Sequence, residues 1–312
     1  MTTPPFPEPG SVDIALSVRT HDRAGDKRVD EAWLAGAWAD PRTRVVPLAG
    51  TRFPVSGDGA SVRWRRSGDL ADVDRRLFLG LRDEIPHFAV LVDEPTVDEP
   101  TDDEPTDAER WTTLRGVLQT LPEPDAGFVV HAVALAEWHA AHRFCPRCGG
   151  RLRSAEAGHV LTCEQCSRQQ FPRSDPAVIM MVTHEERALL GRQPSWPEGR
   201  YSTLAGFVEP GESLEEAVVR EVAEETGVEV TDVTYFGNQP WPFPQSLMVG
   251  FFARAVTTEV TVDGDELSDA RWFSREEMKS GAEAGSLVLP SGISISRSLV
   301  EAWYGGPLPG SW

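Results

Sequence analysis

The spacing of apolar and polar positions changes several times along this chain, and each change marks an element or a break. Between about residues 28 and 93 the apolar residues fall in short β-like runs, at Arg44–Leu48, Ser61–Arg66, Arg76–Leu81 and His87–Val92. These runs predict a β-rich N-terminal domain. Trp111–Leu121 and Asp125–Phe144 then carry helical spacing. The solid apolar run Pro176–Val182 is short enough for a buried strand, and Arg187–Leu190, Ser202–Val208, Val228–Phe236, Leu247–Ala255 and Ala270–Phe273 continue the β pattern. Ile293–Tyr304 reads as a closing helix. One amphipathic stretch interrupts these strands: Leu214, Ala217, Val218 and Val222 form an apolar stripe between an N-cap at Ser213, with Glu216 at the capping-box position, and a stop at Gly227. Pro210 and Gly211 break the strand before it. Strands around one such helix, with a second helix at the end, predict an α/β fold of the α/β/α sandwich type.

Composition alters this picture in two places. Asp93–Glu109 repeats Asp-Glu-Pro-Thr three times, and its prolines and like charges predict a disordered insert. The 312 residues suffice for two domains of ordinary size and a small module, which we place at 1–140 (N-terminal β-rich), 141–173 and 174–312. The net charge of -19 argues against holding duplex nucleic acid by general electrostatics, although a local basic site stays open. No apolar run approaches membrane-spanning length, and Met1–Gly10 is proline-rich without a signal pattern, so a soluble cytoplasmic protein with no membrane partner is expected. The seven histidines are scattered without ligand spacing, which predicts surface or packing roles.

All four cysteines lie together. Cys145 and Cys148 are separated by two residues, as are Cys163 and Cys166, with fourteen residues between the pairs. Paired thiolates on two turns can close a tetrahedral zinc site, and four of them leave no open position for chemistry. A structural zinc ribbon is therefore predicted, with a pair of redox dithiols as the other reading of the same spacing. Around it cluster Arg143, Arg147, Arg151, Arg153, Arg168 and Arg173, against Glu156 and Glu164. Two readings of these arginines stand: guidance of a polyphosphate or RNA 5' end, and simple charge balance.

The amphipathic helix carries the chemistry. From Gly206 to Val228 the chain reads Gly-Phe-Val-Glu-Pro-Gly-Glu-Ser-Leu-Glu-Glu-Ala-Val-Val-Arg-Glu-Val-Ala-Glu-Glu-Thr-Gly-Val. Glu221, Glu224 and Glu225 have spacings that bring carboxylates onto one helix face, where they repel unless a counter-charge is supplied. Hard divalent cations such as Mg2+ or Mn2+ take oxygen ligands of this kind. Glu212 is placed to pair with Arg220 and fix the loop before the helix. An acidic run alone marks a solvated face; here glycines, arginine and carboxylates stand at every fixed position of the Nudix box.

Downstream stands Gln239-Pro-Trp-Pro-Phe-Pro-Gln-Ser246, whose prolines are expected to hold Gln239, Trp241, Phe243 and Gln245 extended, ready to stack a nucleotide ring. With the box and the four-cysteine ribbon, this array resembles the NADH pyrophosphatase branch of the Nudix hydrolases, over residues 110 to 304. The resemblance implies a Nudix α/β/α sandwich behind a zinc ribbon, a structural zinc, and catalytic Mg2+ or Mn2+ held by Glu221, Glu224, Glu225, Glu266 and the backbone oxygen of Ala205. It implies substrate contacts at Gln239, Pro240, Trp241, Pro242, Phe243, Pro244, Gln245, Ser246, Phe171 and Ser296, with Arg115 as a phosphate-side arginine. The activity implied is hydrolysis of NADH or NAD to a nicotinamide mononucleotide and AMP, together with removal of NAD caps from RNA 5' ends, by a homodimer. Water attacks phosphorus in line, and the proton acceptor is left open between Glu224, a neighbouring carboxylate and a cation-activated hydroxide. This sequence departs from the branch at Asn238, for a serine; Phe171, for a tyrosine; Ser296, for an alanine; and Gly158, where some members carry glutamate. Substrate preference is what these changes touch. The alternatives are a Nudix hydrolase of another dinucleotide, such as ADP-ribose or a diadenosine polyphosphate, and a non-catalytic nucleotide sensor.

Overall fold

The computed structural model describes residues 13–17, 19–70, 75–93, 109–262 and 264–310. It divides into two compact units: residues 1–17, Asp175–Trp241 and Ser246–Trp312 form one, and Val18–Ser174 with Pro242–Gln245 the other. Most of the Asp-Glu-Pro-Thr insert expected at 93–109 lies outside the described residues.

In the Val18–Ser174 unit a five-stranded sheet runs in the order β3-β4-β1-β2-β5, from β1 (Arg44–Ala49), β2 (Arg52–Ser56), β3 (Arg76–Arg82), β4 (Ile85–Val92) and β5 (Glu109–Thr113). Helix α1 (Glu31–Ala39), capped by Asp30 on the Trp33 N–H, was not foreseen in a region read as strands. Nearly every residue of it is apolar or small, so it shows no helical period. Its Trp33 and Trp38 pack edge-on to Phe78 and Phe88 of the sheet at 5.4 and 5.3 Å between ring centres. Helix α2 (Glu123–Ala141) packs against β3. Its Phe128 stacks between His21 and His87 at 4.1 and 4.0 Å, and His131 lies beside His21 and His159 at 5.6 and 5.4 Å. These four histidines are buried, and burial above all holds His21, His87 and His159 down to about 4.

Two expectations fail here. Ser61–Arg66 is not a strand; only isolated bridges at Val62 and Arg65 tie it to β2 and β1. Trp111–Leu121 is not a helix: Trp111 sits in β5 opposite Pro54 of β2, and a 3-10 turn, Leu114–Gly116, follows. Its apolar residues serve a sheet edge and a tight turn, so tertiary pairing overrides the local period.

The ribbon forms a three-stranded sheet from β6 (Leu152–Ala155), β7 (Val160–Cys163) and β8 (Gln169–Gln170). Its two cysteine turns are built alike. Gly149 donates to the Cys145 carbonyl and Ser167 to the Cys163 carbonyl, both at 2.9 Å, and both donors take left-handed φ, 74° and 56°.

In the other unit the sheet runs β12-β13-β9-β10-β14, from β9 (Asp175–His184), β10 (Arg187–Arg192), β11 (Leu204–Phe207), β12 (Val230–Trp241), β13 (Ser246–Ala255) and β14 (Asp269–Ser274), with β11 paired to β9. β9 lies parallel to β13 and antiparallel to β10 and β11. Its side chains alternate between two cores. Val178, Met180 and Val182 join Ala217, Val218 and Val222 of α3 (Leu214–Thr226). Ile179 and Met181 join Met278 of α4 (Arg275–Ala284) and Ile295, Leu299, Val300 and Trp303 of α5 (Ile295–Tyr304). Helices thus cover both faces of one sheet, which is the expected α/β/α sandwich. Residues 13–17 belong to this unit rather than to the N-terminal domain drawn at 1–140: Ile14 is buried in the α5 core. No helix among the described residues is long and apolar enough to cross a membrane.

Candidate active site

Local signals build helix α3. Ser213 Oγ accepts from the Glu216 N–H at 3.2 Å, and Glu216 Oε2 accepts from the Ser213 N–H at 3.0 Å, closing the capping box; Gly227 ends the helix with φ 69°. The loop before it is held by Arg220. Its guanidinium donates to Glu212 Oε1 at 2.8 Å and Oε2 at 2.9 Å, to the Phe207 carbonyl at 2.9 Å and to Glu224 Oε2 at 2.9 Å. Hydrogen bonding from Arg220 is the main reason that the Glu212 carboxyl is held down at about 2.

The helix turns two carboxylates inward. Glu221 and Glu225 are buried, and with Glu266, from the loop before β14, they offer oxygen atoms that all lie within 4.8 Å of one another. Glu224 stands outside this group, largely exposed and bonded to Arg220. Burial pushes the Glu221 carboxyl up; Arg220, whose Nη1 lies 2.9 Å away, opposes that, and Glu224 and Glu266 add to it. The backbone is cut away to admit the group: a Cβ on Gly206 of β11 would fall 1.9 Å from the Glu221 carboxyl carbon. Three crowded oxygen donors, one of them reluctant to ionise in a buried place, fit a hard divalent cation.

Beside this cluster opens a cavity of about 310 Å³. Ala205, Glu225, Gln239, Trp241 and Ser296 line it, so the first unit brings these predicted residues together. Sequence reasoning missed Trp196, Ser202 and Thr203, which also line it from the segment ahead of β11. No local motif marks them, because long-range packing alone carries them there. Ser296, only 2 % exposed, is a hydroxyl hub: it lies 2.9 Å from Ser202 Oγ and accepts from Thr203 Oγ1 at 2.8 Å. Gln239 is a clamp. Its Nε2 donates to the Ala15 and Ile293 carbonyls at 2.8 and 2.7 Å, and its Oε1 accepts from the Ile295 N–H at 2.9 Å, at the start of α5.

The proline array is only partly extended. Gln239–Trp241 ends β12 and Ser246 opens β13, but Pro242–Gln245 is a turn, with a cis bond at Phe243–Pro244. Pairing of Trp241 with Ser246 requires the chain to reverse there, and prolines without an N–H suit the turn. Arg115 and Phe171 belong to the second unit. The Arg115 guanidinium lies 4.1 Å over the Phe243 ring, and Phe171 is largely exposed. Gly158 is buried with φ 94°, and a Cβ there would meet Leu77 Cδ2 at 2.4 Å, so the position has no room for a glutamate.

The four cysteine sulfurs also lie within 4.8 Å of one another, and none is in a disulfide. The Cys166 N–H is the main cause holding the Cys163 thiol down at about 7.

Comparison with known proteins gives three family matches in order along the chain. Residues 42–138 match the NADH pyrophosphatase-like rudimentary NUDIX domain, 140–171 the NADH pyrophosphatase zinc ribbon domain and 173–290 the NUDIX domain. The four-cysteine module is thus a zinc ribbon. Among curated relatives, the NAD-capped RNA hydrolase NUDT12 of Macaca fascicularis is 43% identical over 199 residues, 60% of this chain and 43% of that protein. The NAD-capped RNA hydrolase NudC of Pseudomonas aeruginosa (strain LESB58) is 44% identical over 173 residues, 55% of this chain and 59% of its own. The protein of the same name from Mycobacterium bovis (strain BCG / Pasteur 1173P2) is 43% identical over 201 residues, 61% of this chain and 64% of its own. The chain therefore spans less than two thirds of the length of each.

Proposed function

Because the chain belongs to the Nudix hydrolase family, with the domain order of its NADH pyrophosphatase branch, we propose that it hydrolyses the diphosphate of NADH or NAD to a nicotinamide mononucleotide and AMP, and that it removes NAD caps from RNA. The observation that carries this reading is the junction of two features in one unit: the Glu221, Glu225 and Glu266 cluster, and a cavity that shares Glu225 with it. The printed names of the relatives support the extension to capped RNA.

Glu221, Glu225 and Glu266, with the Ala205 carbonyl, would hold Mg2+ or Mn2+. When bound, that cation supplies the positive charge against which a diphosphate can be attacked. The rest of the work falls to the chain. Arg220 fixes the 207–212 loop and holds Glu224 at the exposed end of the row, and Glu224 or a neighbouring carboxylate would take the proton from water. Gln239 and the Ser296 hub anchor the cavity wall, so that Trp241 and Trp196 stand on a rigid frame for a planar ring. A zinc ribbon at 141–173, a catalytic domain from 174 to 312, a cytoplasmic location and, from the resemblance, a homodimer complete the proposal.

The test is product analysis of zinc-loaded protein with NADH, with and without added Mg2+ or Mn2+. Nicotinamide mononucleotide and AMP should appear only with the cation, and Glu225→Gln should remove most turnover while leaving the fold. Preferred cleavage of ADP-ribose or a diadenosine polyphosphate would reassign the substrate. Binding without any cleavage would make the protein a sensor.

A further inference from the structure

We propose that the Val18–Ser174 unit holds a second binding site, for a phosphorylated mononucleotide, in a cavity bounded by β3, the end of α2 and the zinc ribbon. The cavity measures about 380 Å³, inside the range of about 300–1,000 Å³ typical of small-ligand pockets. Four arginines line it: Arg75 just before the edge strand β3, Arg76 at its start, Arg143 after α2, and Arg151 in the ribbon. The Arg76 guanidinium is engaged over the Trp38 ring at 4.1 Å, which leaves Arg75, Arg143 and Arg151 for an anion. No aspartate or glutamate is among its lining residues, in a chain whose net charge is -19. A solvated face or a balanced surface would mix the signs. Among the described residues no carboxylate pairs with Arg143 or Arg151. Arg75 bonds Asp93 at 2.5 Å with both side chains exposed, a pair that is weakly held.

The remaining lining residues indicate what the anion is attached to. Phe144 is 56% exposed, so part of its ring is open to a ligand, and the Arg151 guanidinium stands 5.9 Å from its centre. A flat aromatic face next to a guanidinium suits a nucleobase. His142 Nδ1 donates to the Trp138 carbonyl at 2.9 Å, so its Nε2 is left as an acceptor for a ribose hydroxyl or a base amine. Guanidinium forks prefer phosphate. The arginines come from three segments around one cavity and do not line a track, which favours a single nucleotide over a strand. None of these residues belongs to the carboxylate cluster, so the inference does not depend on the hydrolytic reading.

Equilibrium titration of the full zinc-loaded chain with AMP, without added Mg2+ or Mn2+, tests it. The double substitution Arg143→Glu/Arg151→Glu should remove one equivalent of bound AMP while zinc content, circular dichroism and NADH turnover in added Mg2+ stay unchanged. Arg143→Lys/Arg151→Lys should retain binding, weakened, and Phe144→Ala should weaken it by roughly tenfold. Affinity should fall with salt. Unchanged AMP stoichiometry in the double glutamate variant overturns the proposal. So does inorganic phosphate binding as tightly as AMP with no effect of Phe144→Ala, or binding of a ten-nucleotide RNA at these arginines when AMP does not bind.

Discussion

Substituting Gly206 by alanine should silence the carboxylate cluster without unfolding the protein. Gly206 sits in β11 opposite Val178, and its φ is one that any residue adopts. The nearest atoms to the added methyl would be the carboxyl end of Glu221: its carbon at 1.9 Å and its oxygens at 2.0 and 2.3 Å. Opening that gap from 1.9 Å to the 3.4 Å of ordinary contact displaces the carboxyl by about 1.5 Å and disturbs its contact with the Arg220 nitrogen, now at 2.9 Å. A flexible side-chain end can yield in this way, and alanine in place of glycine restricts the unfolded chain by about 0.4–1 kcal/mol, so the melting temperature should hardly move. The chemistry has less tolerance. Misplacement by about 1 Å can cost on the order of 10²-fold in rate, which corresponds to about 2.7 kcal/mol of lost transition-state stabilisation. Initial rates of NADH hydrolysis across a series of Mn2+ or Mg2+ concentrations, beside a thermal melt, read both parts. The half-saturating cation concentration should rise along with the loss of rate. Wild-type rate at wild-type cation demand would refute the placement of Glu221 among the ligands, and a collapsed melt would refute the claim that the flexible end of Glu221 yields.

Other outcomes follow from the same geometry. His21, His87 and His159 are held at about 4 against an ordinary 6.5; neutral when folded, they stabilise fully above pH 6.5 and lose that contribution as the pH falls toward 4. Unfolding followed by intrinsic fluorescence should show the Val18–Ser174 unit weakening across that window, by up to about 3 kcal/mol per histidine, and a flat profile would contradict it. Stripping zinc, or Cys163→Ser, should unfold the ribbon, since structural zinc contributes on the order of 10 kcal/mol; metal analysis and circular dichroism check this. Ser296→Ala leaves Ser202 and Thr203 without their shared hydroxyl and should cost about 1–3 kcal/mol, read from denaturant unfolding, with NADH KM reporting on the cavity wall.

What could be read in advance was what neighbouring residues decide among themselves. The capping box at Ser213 and Glu216, the stop at Gly227, the Arg220–Glu212 pair and the paired cysteine turns all depend on spacings of a few residues, and the structure forms each of them. Glu266 is forty-one positions beyond Glu225 and became a candidate only through resemblance; closing of the sheet brings it within 4.8 Å. Trp196, Ser202 and Thr203 had no local signal at all. Trp111 and Pro242 misled for a shared reason: the pairing of Trp111 with Pro54, and that of Trp241 with Ser246, which turns the chain at Pro242, outweigh the preferences of their own segments. The second cavity had the same character, since Arg143 and Arg151 were visible as a charge cluster while Arg75 and Arg76 join them only through the fold.

Strand β9 has hydrogen-bonded neighbours along both edges and a helical layer over each face. Its amides therefore have no inexpensive route to solvent, and hydrogen exchange there should track global opening of the sandwich. Because successive residues of this one strand plug opposite interiors, the layers cannot melt one at a time. A defect introduced beneath α5 would loosen the scaffold under α3 and its carboxylates, though no atom of the two helices needs to touch.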